Sequence, residues 1–598
     1  MSPQKSHINV QLLRSLYLKH KRKLDILTIF TIETTLKTLE QGAAPKLTKD
    51  LASISMENSM SIVAEGAHFT DTLSSWISRG FVLGPFDNPP FDNLRINRIL
   101  GVRQQTKVRP IMDLSAPEGN SFNEAVDKDT LRKIKTFSAK DFAEGLHDLG
   151  KDAVFAKLDW TEAYKNIHVN DEYLKYQAFK WLGKTFIETR LVFGAVNAVS
   201  DYDNLAHAVN ELAKKEARTP RVKVYRVIDD VPSMGSASKG EIHRYLDTYI
   251  ELCKSLNIEL APFSVDRVKA FGLGTSGVVL GIHFDAKSMT WSLPKDKALR
   301  YISSITEILE KGSINLEQLQ KIMGALEHVC SVCPILRAFR HNAYRLLAKF
   351  EGNDRLTVRL ERSIREDMVI WMNALTSSIS GLPIAPRRGW PGPSAIAFLS
   401  DAAGASRLRD HDLIGVASVQ TDPRLESSRP LARLWWPLNF ISKAKDGKGA
   451  EFGSKSTTLE VIGLLIPALH CPHLLRDKEV ILFVDNEAVV YGFKKLYVKR
   501  DLEASIFIRS LAIIEVKLNC RFFVLHAPRR ASKPAIDADN LSRAATSADY
   551  AKIPQIQAQN LRDWFKDPKA DWSLQTKLLQ DVESALTPNP TFSSPCHP

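Results

Sequence analysis

The sequence predicts a multidomain protein of mixed α/β and α+β class, and three observations lead there. At 598 residues the chain exceeds what a single hydrophobic core organises. Two separate stretches, 154–235 and 395–543, set acidic residues at the ends of apolar, strand-like runs. Between them the segment from Gly381 to Pro393 crowds Pro and Gly enough to mark a domain boundary.

Composition narrows the function classes. Hydrophobic residues make up 44% and charged residues 25%, the balance of a soluble globular chain. No apolar run approaches the roughly 18 residues of a membrane span, so no membrane partner is expected. The start, Met1 to Lys23, lacks the apolar core and cleavage site of a signal peptide, which points to an intracellular protein, cytoplasmic or nuclear. Six cysteines are too few for a disulfide framework; Cys330 and Cys333 lack a second ligand pair at zinc-finger spacing and read as buried thiols. The net charge of +13 suits a polyanionic partner.

Taken in order, residues 1–78 read as a helical N-terminal region, with Leu12, Leu13, Leu16, Leu24 and Leu27 at helix spacing. Its basic cluster Lys19 to Lys23 suits either a phosphate contact or a solvated face. A Pro- and aromatic-rich loop follows Gly80, and then two strand-like runs, Ile99–Arg103 and Lys107–Leu114, form a hairpin. That hairpin carries Arg103, Lys107 and Arg109, side chains able to clamp a triphosphate. Phe155–Asp159 reads as a strand ending in an acid, Thr185–Phe193 as another strand, and Gly194 as the opening of a helix to about Lys215. Val224 to Ile228 reads as an apolar strand delivering Asp229 and Asp230 into a turn. Adjacent strand residues point to opposite faces, so this acid pair serves one metal only with a third acid from elsewhere, and Asp159 is that candidate. A helix over 239–257 and a strand over Val278–Phe284 complete the region.

Residues 295–350 read as helices, with Asn315 and Gln318 as a capping pair and Leu316, Leu319, Met323 and Leu326 as the buried stripe. Arg337, His341, Arg345 and Lys349 recur at helical spacing, as a duplex-tracking stripe or a solvated face. Past the boundary, Ala395–Ser400 is a strand delivering Asp401, and 413–419 and 434–441 are further strands. A helix over 457–469 carries Glu460 near its start, and strand Val480–Val484 delivers Asp485, after which Asn486 opens a helix. Strand Phe522–Leu525 leads to His526, and the run Ile536 to Arg543 contains Asp537 and Asp539. Residues 546–598 form a polar tail with a helix-like stretch at 573–586.

These motifs resemble those of reverse transcriptases in the family's order. Asp159 with Tyr164 looks like motif A, Phe193-Gly194-Ala195 like motif B, and Val227-Ile228-Asp229-Asp230 like the YxDD box of motif C. Leu280-Gly281 resembles the strand of the primer grip, and the run Arg109 to Ser115 with Asn123 resembles the fingers. Two positions depart: Val227 replaces the motif C Tyr, and Val199 stands near the place of the usual motif B Pro. The later series Asp401, Glu460, Asp485, Asp539 resembles an RNase H domain, whose closing AD-x-LSR box favours Asp539 over Asp537. Arg529 stands where relatives commonly have Gly after the His-x-Pro that begins at His526. The narrower likeness is to the reverse transcriptase–RNase H protein of DIRS-like, tyrosine-recombinase retrotransposons. It is carried by the lead-in Gly84 to Phe91 and by the stretch Asp113 to Ser121.

The resemblance implies a right-hand polymerase with fingers, a ferredoxin-like palm and a helical thumb, followed by an RNase H-like α/β domain. The implied divisions are fingers and palm over 79–293, helical thumb or connection over 294–380, a linker over 381–393 and the RNase H-like domain over 394–545. It implies Mg²⁺, two ions per site with Mn²⁺ as a substitute, because nucleotidyl transfer and phosphodiester hydrolysis both need clamped attacking and leaving oxygens. Asp159 and Asp229 would be ligands with Asp230 as third acid; Asp401, Glu460, Asp485 and Asp539 would hold the second pair. Arg103, Arg109, Asp113 and Gly194 would contact substrate, and Lys269 would lie near the leaving pyrophosphate. Tyr164 would be the gate against a 2′-hydroxyl, or an aromatic of the palm core. The partners implied are an RNA template, a DNA primer, the RNA–DNA hybrid, dNTPs and other proteins of the same element. Alternatives are an inactive nucleic-acid-binding relic and the polymerase of a gypsy-type LTR element.

Overall fold

The structure, a computed structural model, describes residues 6–103, 108–134, 136–228, 230–351, 353, 355–378, 382–383, 391–392, 394–403, 413–437, 456–498, 501–518, 520–543, 552–556, 580 and 582. Asp229, Lys107 with the turn 104–106, most of the 381–393 linker and nearly all of the 573–586 stretch lie outside them. The chain is a mixed α/β multidomain protein, and it divides into two compact units. One comprises Met1–Pro294 with Gly381–Pro386, the other Lys295–Ser380 with Arg387–Pro598. The helices read from the sequence as a thumb therefore fall in the second unit. Among the described residues no helix is long and apolar enough to cross a membrane.

In the first unit the hairpin forms as expected, β1 (Ile99–Arg103) pairing antiparallel with β2 (Val108–Met112). Four strands make the sheet that carries the first acids. β3 (Ala153–Asp159) lies between β4 (Asp230–Ser236) and β5 (Phe271–Gly274), with the short strand Lys223–Val224 beyond β4. Helices α1 (Ala198–Ala217) and α2 (Glu241–Ser255) cover one face, where Ala156, Leu158 and Val231 join Tyr202, Leu205, Tyr245 and Tyr249 in the core. By strand alternation Phe155, Lys157 and Asp159 then point to the other face.

Three expectations need correcting here. The acids of motif C do not end a long strand: the strand before them is the short Lys223–Val224, and the long strand β4 begins at Asp230. The small and apolar residues Val231 to Gly235 fill the narrow space against β3, whereas Arg226 turns aside to bond the Asp203 carbonyl. The run Val278–Phe284 is not one strand but the hairpin Ser276–Val279 and Ile282–Asp285. Leu280 and Gly281 take φ of 53° and 69°, the left-handed pair that a two-residue hairpin turn demands. Thr185–Phe193 is strand only to Glu188, and the following helix starts at Ala198, four residues after Gly194.

In the second unit, helix Leu316–Val332 starts on the expected capping box of Asn315 and Gln318. Its buried stripe is Leu319, Ile322, Leu326 and Val329, with Ile322 in the place expected of Met323. The basic positions do not form one continuous stripe: a 3-10 turn, Pro334–Phe339, breaks from helix His341–Ala348. His341 stacks on Tyr497 at 4.2 Å, and Lys349 pairs with Glu361. The sheet that carries the second acids has five strands. β6 (Ile396–Ala403) is flanked by β7 (Leu413–Thr421), which pairs with β8 (Ser428–Pro437), and by β9 (Glu479–Val484), which pairs with β10 (Arg521–His526). The β6–β7 and β7–β8 pairs are antiparallel, the β6–β9 and β9–β10 pairs parallel. β8 starts at Ser428, earlier than the strand expected at 434–441, whose last residues lie outside the described set.

Alternation sorts the residues of this sheet between two cores. Phe398, Val416, Val480, Leu482 and Val484 pack with α3 (Ser456–His470) and helix Leu502–Lys517. Ala397, Leu399, Ala417, Val419, Ile481 and Phe483 pack with α4 (Lys533–Arg543) through Ala535, Ala538 and Leu541. Both faces are covered, as parallel pairing requires.

One glycine ties the hairpin to the first unit's core. Gly194 has φ of 114°, and a Cβ there would run into the Met112 carbonyl oxygen. The Met112 N–H donates to the Phe193 carbonyl at 3.2 Å, and the Asn123 amide donates to the Gly194 carbonyl at 2.7 Å. Gly194→Ala should cost roughly 2–3 kcal/mol through backbone strain and the lost approach. The expected readout is a lower urea midpoint; an unchanged midpoint would show that the hairpin does not rest on this contact.

Candidate metal centres

The first acid set forms at the end of an antiparallel pair. Asp230 lies directly opposite Asp159 in the β3–β4 register, so both side chains leave the sheet on one face. Val227 and Asp230 exchange both backbone hydrogen bonds, at 3.0 and 3.1 Å, and Ile228 takes φ of 52°, so the chain reverses tightly before β4. Asp159 and Asp230 are both half-buried. Lys157, two residues before Asp159 and on the same face, is buried with its Nζ 3.5 Å from Asp230 Oδ1 and donating to the Val268 carbonyl at 2.8 Å. Lys269 is exposed on the loop before β5, at the sheet end where β3 finishes in Asp159.

The other first-unit candidates separate into two groups. Arg109 stacks on the Phe193 ring at 4.6 Å, Phe193 meets the buried Tyr164 ring at 4.8 Å, and Tyr164 meets Tyr202 at 5.8 Å. This aromatic row runs from the hairpin into the first unit's core, and Gly194 adjoins it. Asp113 is engaged differently. Arg98 grips it with Nε at 2.7 Å and Nη2 at 2.6 Å, and its Oδ1 accepts the Ser115 N–H, so its charge serves the loop. Arg103 is exposed and pairs with Glu65 at 3.0 Å.

The second set is tighter. Asp401 continues the row Ala397, Leu399 along β6, and Asp485 continues Ile481, Phe483 from β9. The parallel register pairs Leu399 with Phe483, so the two acids project side by side from the carboxyl ends of neighbouring strands. Glu460 arrives from α3 on the opposite face. Gly463, one helical turn on, lets α3 close onto β6: a Cβ there would stand 2.9 Å from the Ser400 Cβ, and the Ser400 hydroxyl donates to the Gly463 carbonyl at 2.9 Å. Asp401, Glu460 and Asp485 thus offer carboxylate oxygens within 4.8 Å of one another.

Asp539 stands beside this group rather than within it. It is held by Arg543 Nε at 2.8 Å and by Arg530 Nη2 at 3.4 Å. Arg529 bridges the two, with Nε 3.3 Å from Asp485, and Nη2 3.6 Å from Asp401 and 3.9 Å from Asp539. The Ser542 hydroxyl, from the same helix as Asp539, donates to Asp401 Oδ2 at 2.7 Å. Asp537 points elsewhere, accepting from Ser428. His526 is exposed at the end of β10.

Burial sets the electrostatics of the second group. It lifts the Asp401 carboxyl to about 6, with Asp485 and Asp539 pushing the same way and Ser542 and Arg529 opposing. Burial, then the charges of Asp401 and Asp485, push Glu460 well above the ordinary range. Glu460 Oε2 is buried without a hydrogen-bond partner among the described residues. Three clustered oxygen donors with one orphaned oxygen fit a hard divalent cation such as Mg²⁺. The first set offers Asp159 and Asp230 on one face; the third member of the expected triad, Asp229, is outside the described residues.

Several working residues escaped the sequence reading. Lys157 was available from strand period alone, since i and i+2 share a face. Gly463 and Arg98 carried no local signal, because their roles depend on which elements approach them.

No protein-family model matches this sequence, and no curated protein does. Among solved structures the chain is similar to a foamy viral protease-reverse transcriptase in complex with dsDNA, at 11% identity and a TM-score of 0.42, covering 86% of this chain and 97% of that one. It is also similar to a foamy viral protease-reverse transcriptase in complex with an RNA/DNA hybrid, at 10% identity and a TM-score of 0.40, covering 89% and 85%.

The raised acids make cation binding a proton-releasing event. A cation needs Asp401 and Glu460 ionised, so Mg²⁺ or Mn²⁺ affinity at this group should rise as pH passes through about 6 and keep rising above it as Glu460 ionises. Calorimetry in two buffers of different ionisation enthalpy should detect the released protons. Without a cation the sign reverses for stability: folded Asp401 keeps a proton that the unfolded chain loses, so its contribution falls as pH rises from 3.8 to about 6. A pH-independent affinity would show that these carboxyls are already ionised.

Proposed function

We propose that the chain is an RNA-directed DNA polymerase with ribonuclease H activity, the replication protein of a DIRS-like retrotransposon, working inside the cell. The observation that supports this is the convergence of two acid sets, far apart in sequence, each at the end of its own sheet. Asp159 lies opposite Asp230, and Asp401 and Asp485 stand in register with Glu460 beside them. Polar turns scatter acids; they do not bring them together twice in the order that nucleotidyl transfer and RNA hydrolysis require.

Bound divalent cations would neutralise the phosphate charge and lower the pKa of the attacking hydroxyl or water. The chain's own residues do the rest. Asp159 and Asp230 would present oxygens on one face of the first sheet, beside the primer end, and Asp229 would be the third acid. Arg103 and Arg109 would hold the triphosphate of a dNTP, Arg109 being aimed by its stack on Phe193. Tyr164, packed below Phe193, would fix the floor against which the sugar rests. In the second unit Asp401, Glu460 and Asp485 would ligate, while Asp539, gripped by arginines, would anchor α4 at the edge of the site. The partners on this reading are an RNA template, a DNA primer and their hybrid. A second reading, a nucleic-acid-binding protein without chemistry, is favoured by Val227 in motif C and by Arg529 lying among the acids.

The test is extension of a DNA primer on an RNA template with Mg²⁺ and full-length protein, both strands labelled. Wild-type protein should extend the primer and cut the template. Asp159→Asn should reduce extension to background and leave cutting unchanged, and Glu460→Gln should do the reverse. Loss of both activities in either folded variant would undo the two-centre assignment. Binding of the hybrid with neither activity in wild type would establish the second reading.

A further inference from the structure

Arg529 is the residue whose placement the proposed chemistry does not explain. We infer that it is a resident counter-ion of the Asp401–Glu460–Asp485 group, competing with the divalent cation for the same carboxylates and holding cation affinity down until its side chain swings away. This rests on the reading of that group as a metal centre.

The geometry is that of a substitute cation. One guanidinium reaches Asp485 through Nε at 3.3 Å and Asp401 through Nη2 at 3.6 Å, spanning acids from two parallel strands. Asp539 has Arg543 and Arg530 for itself, at 2.8 and 3.4 Å. Among the described residues, the one basic partner of Asp401 and Asp485 is Arg529. A guanidinium stays charged at any working pH and is weakly hydrated, so it tolerates the partly buried position that an ammonium would resist. It supplies one positive charge where a metal would supply two, and the two cations repel when both crowd the same oxygens. The arginine therefore has to leave for the metal to enter.

It has a way out. The Arg529 side chain is 36% exposed, against 6% for Asp401, so the guanidinium rotates toward solvent without opening the core. Its backbone sits in a compact turn after β10, where the Ala531 N–H donates to the Pro528 carbonyl and Arg530 takes φ of 58°. The turn anchors the Cα while the long side chain moves. Measured affinity for a cation is then the intrinsic affinity reduced by the fraction of molecules in which Arg529 is away.

The experiment is Mn²⁺ titration of the full chain, followed by the EPR signal of free Mn²⁺, in an Asp159→Asn background that weakens the first centre. The site of interest is the binding removed by Glu460→Gln. Arg529→Ala, and Arg529→Gln as a variant that keeps length and hydrogen bonding, should each bind Mn²⁺ about tenfold more tightly, as expected if Arg529 is away about a tenth of the time. Arg529→Lys, whose ammonium holds that position less well, should fall between wild type and the two neutral variants. In EDTA the two neutral variants should melt below wild type, because the acids lose the counter-charge of Arg529, and Mn²⁺ should reverse that order. Unchanged or weaker Mn²⁺ binding in both neutral variants, still removed by Glu460→Gln, would overturn the counter-ion role and leave the metal centre standing. No Glu460-dependent binding in any variant would overturn the metal centre and the inference with it.

Discussion

Gathering carboxylates in one place is electrostatically uphill, and the fold around both centres is arranged to bear that cost. Like charges a few ångströms apart repel, and burial withdraws the water that would screen them. The second centre answers with raised pKa values at Asp401 and Glu460 and with Arg529 laid across the group. The first answers with Lys157, buried beside Asp230 on the same sheet face. In both, a basic side chain from within the domain stands where positive charge is needed.

Sheet register is what makes the gathering possible, and the two centres use opposite kinds. In the first unit an antiparallel pair sets the last residue of β3 against the first of β4, so acids 71 positions apart face one another without either helix taking part. In the second unit a parallel pair carries two acids past the carboxyl ends of adjacent strands, and the third comes from a helix on the far face. That helix reaches the strand only because Gly463 removes the side chain that would hold it off. A methyl group there would stand 2.9 Å from the Ser400 Cβ, so the helix that carries Glu460 would have to shift.

Much of this was legible in the sequence because it depends on short-range rules. Strand alternation placed Asp401 and Asp485 toward strand ends, and Asn486 and Asn315 capped the helices expected of them. What stayed hidden were contacts between elements. Asp113 reads as a substrate contact until Arg98 is seen gripping it, and the run Val278–Phe284 reads as one strand until its centre turns left-handed. Hydrophobic period does not distinguish a strand from a hairpin whose two arms share the same apolar side chains. The decisive information there was a tolerance for positive φ at Leu280, which leucine rarely advertises.

Arg529 shows how one departure from a pattern changes the physics of a site without touching its ligands. Glycine at that position would leave the acids to be neutralised by protons or by metal alone, so the cation-free form would hold protons at neutral pH and carry the repulsion as lost stability. An arginine removes part of that repulsion and makes the cation-free centre a settled state of its own. The cost is competition: whatever stabilises the empty centre opposes filling it. On the proposed function, filling the centre then waits on a second event that draws the guanidinium off, and a phosphodiester backbone is itself a ligand for arginine. The acids that would do the chemistry and the cation that would restrain it are thus parts of one electrostatic balance, set by three strands, a helix and a turn.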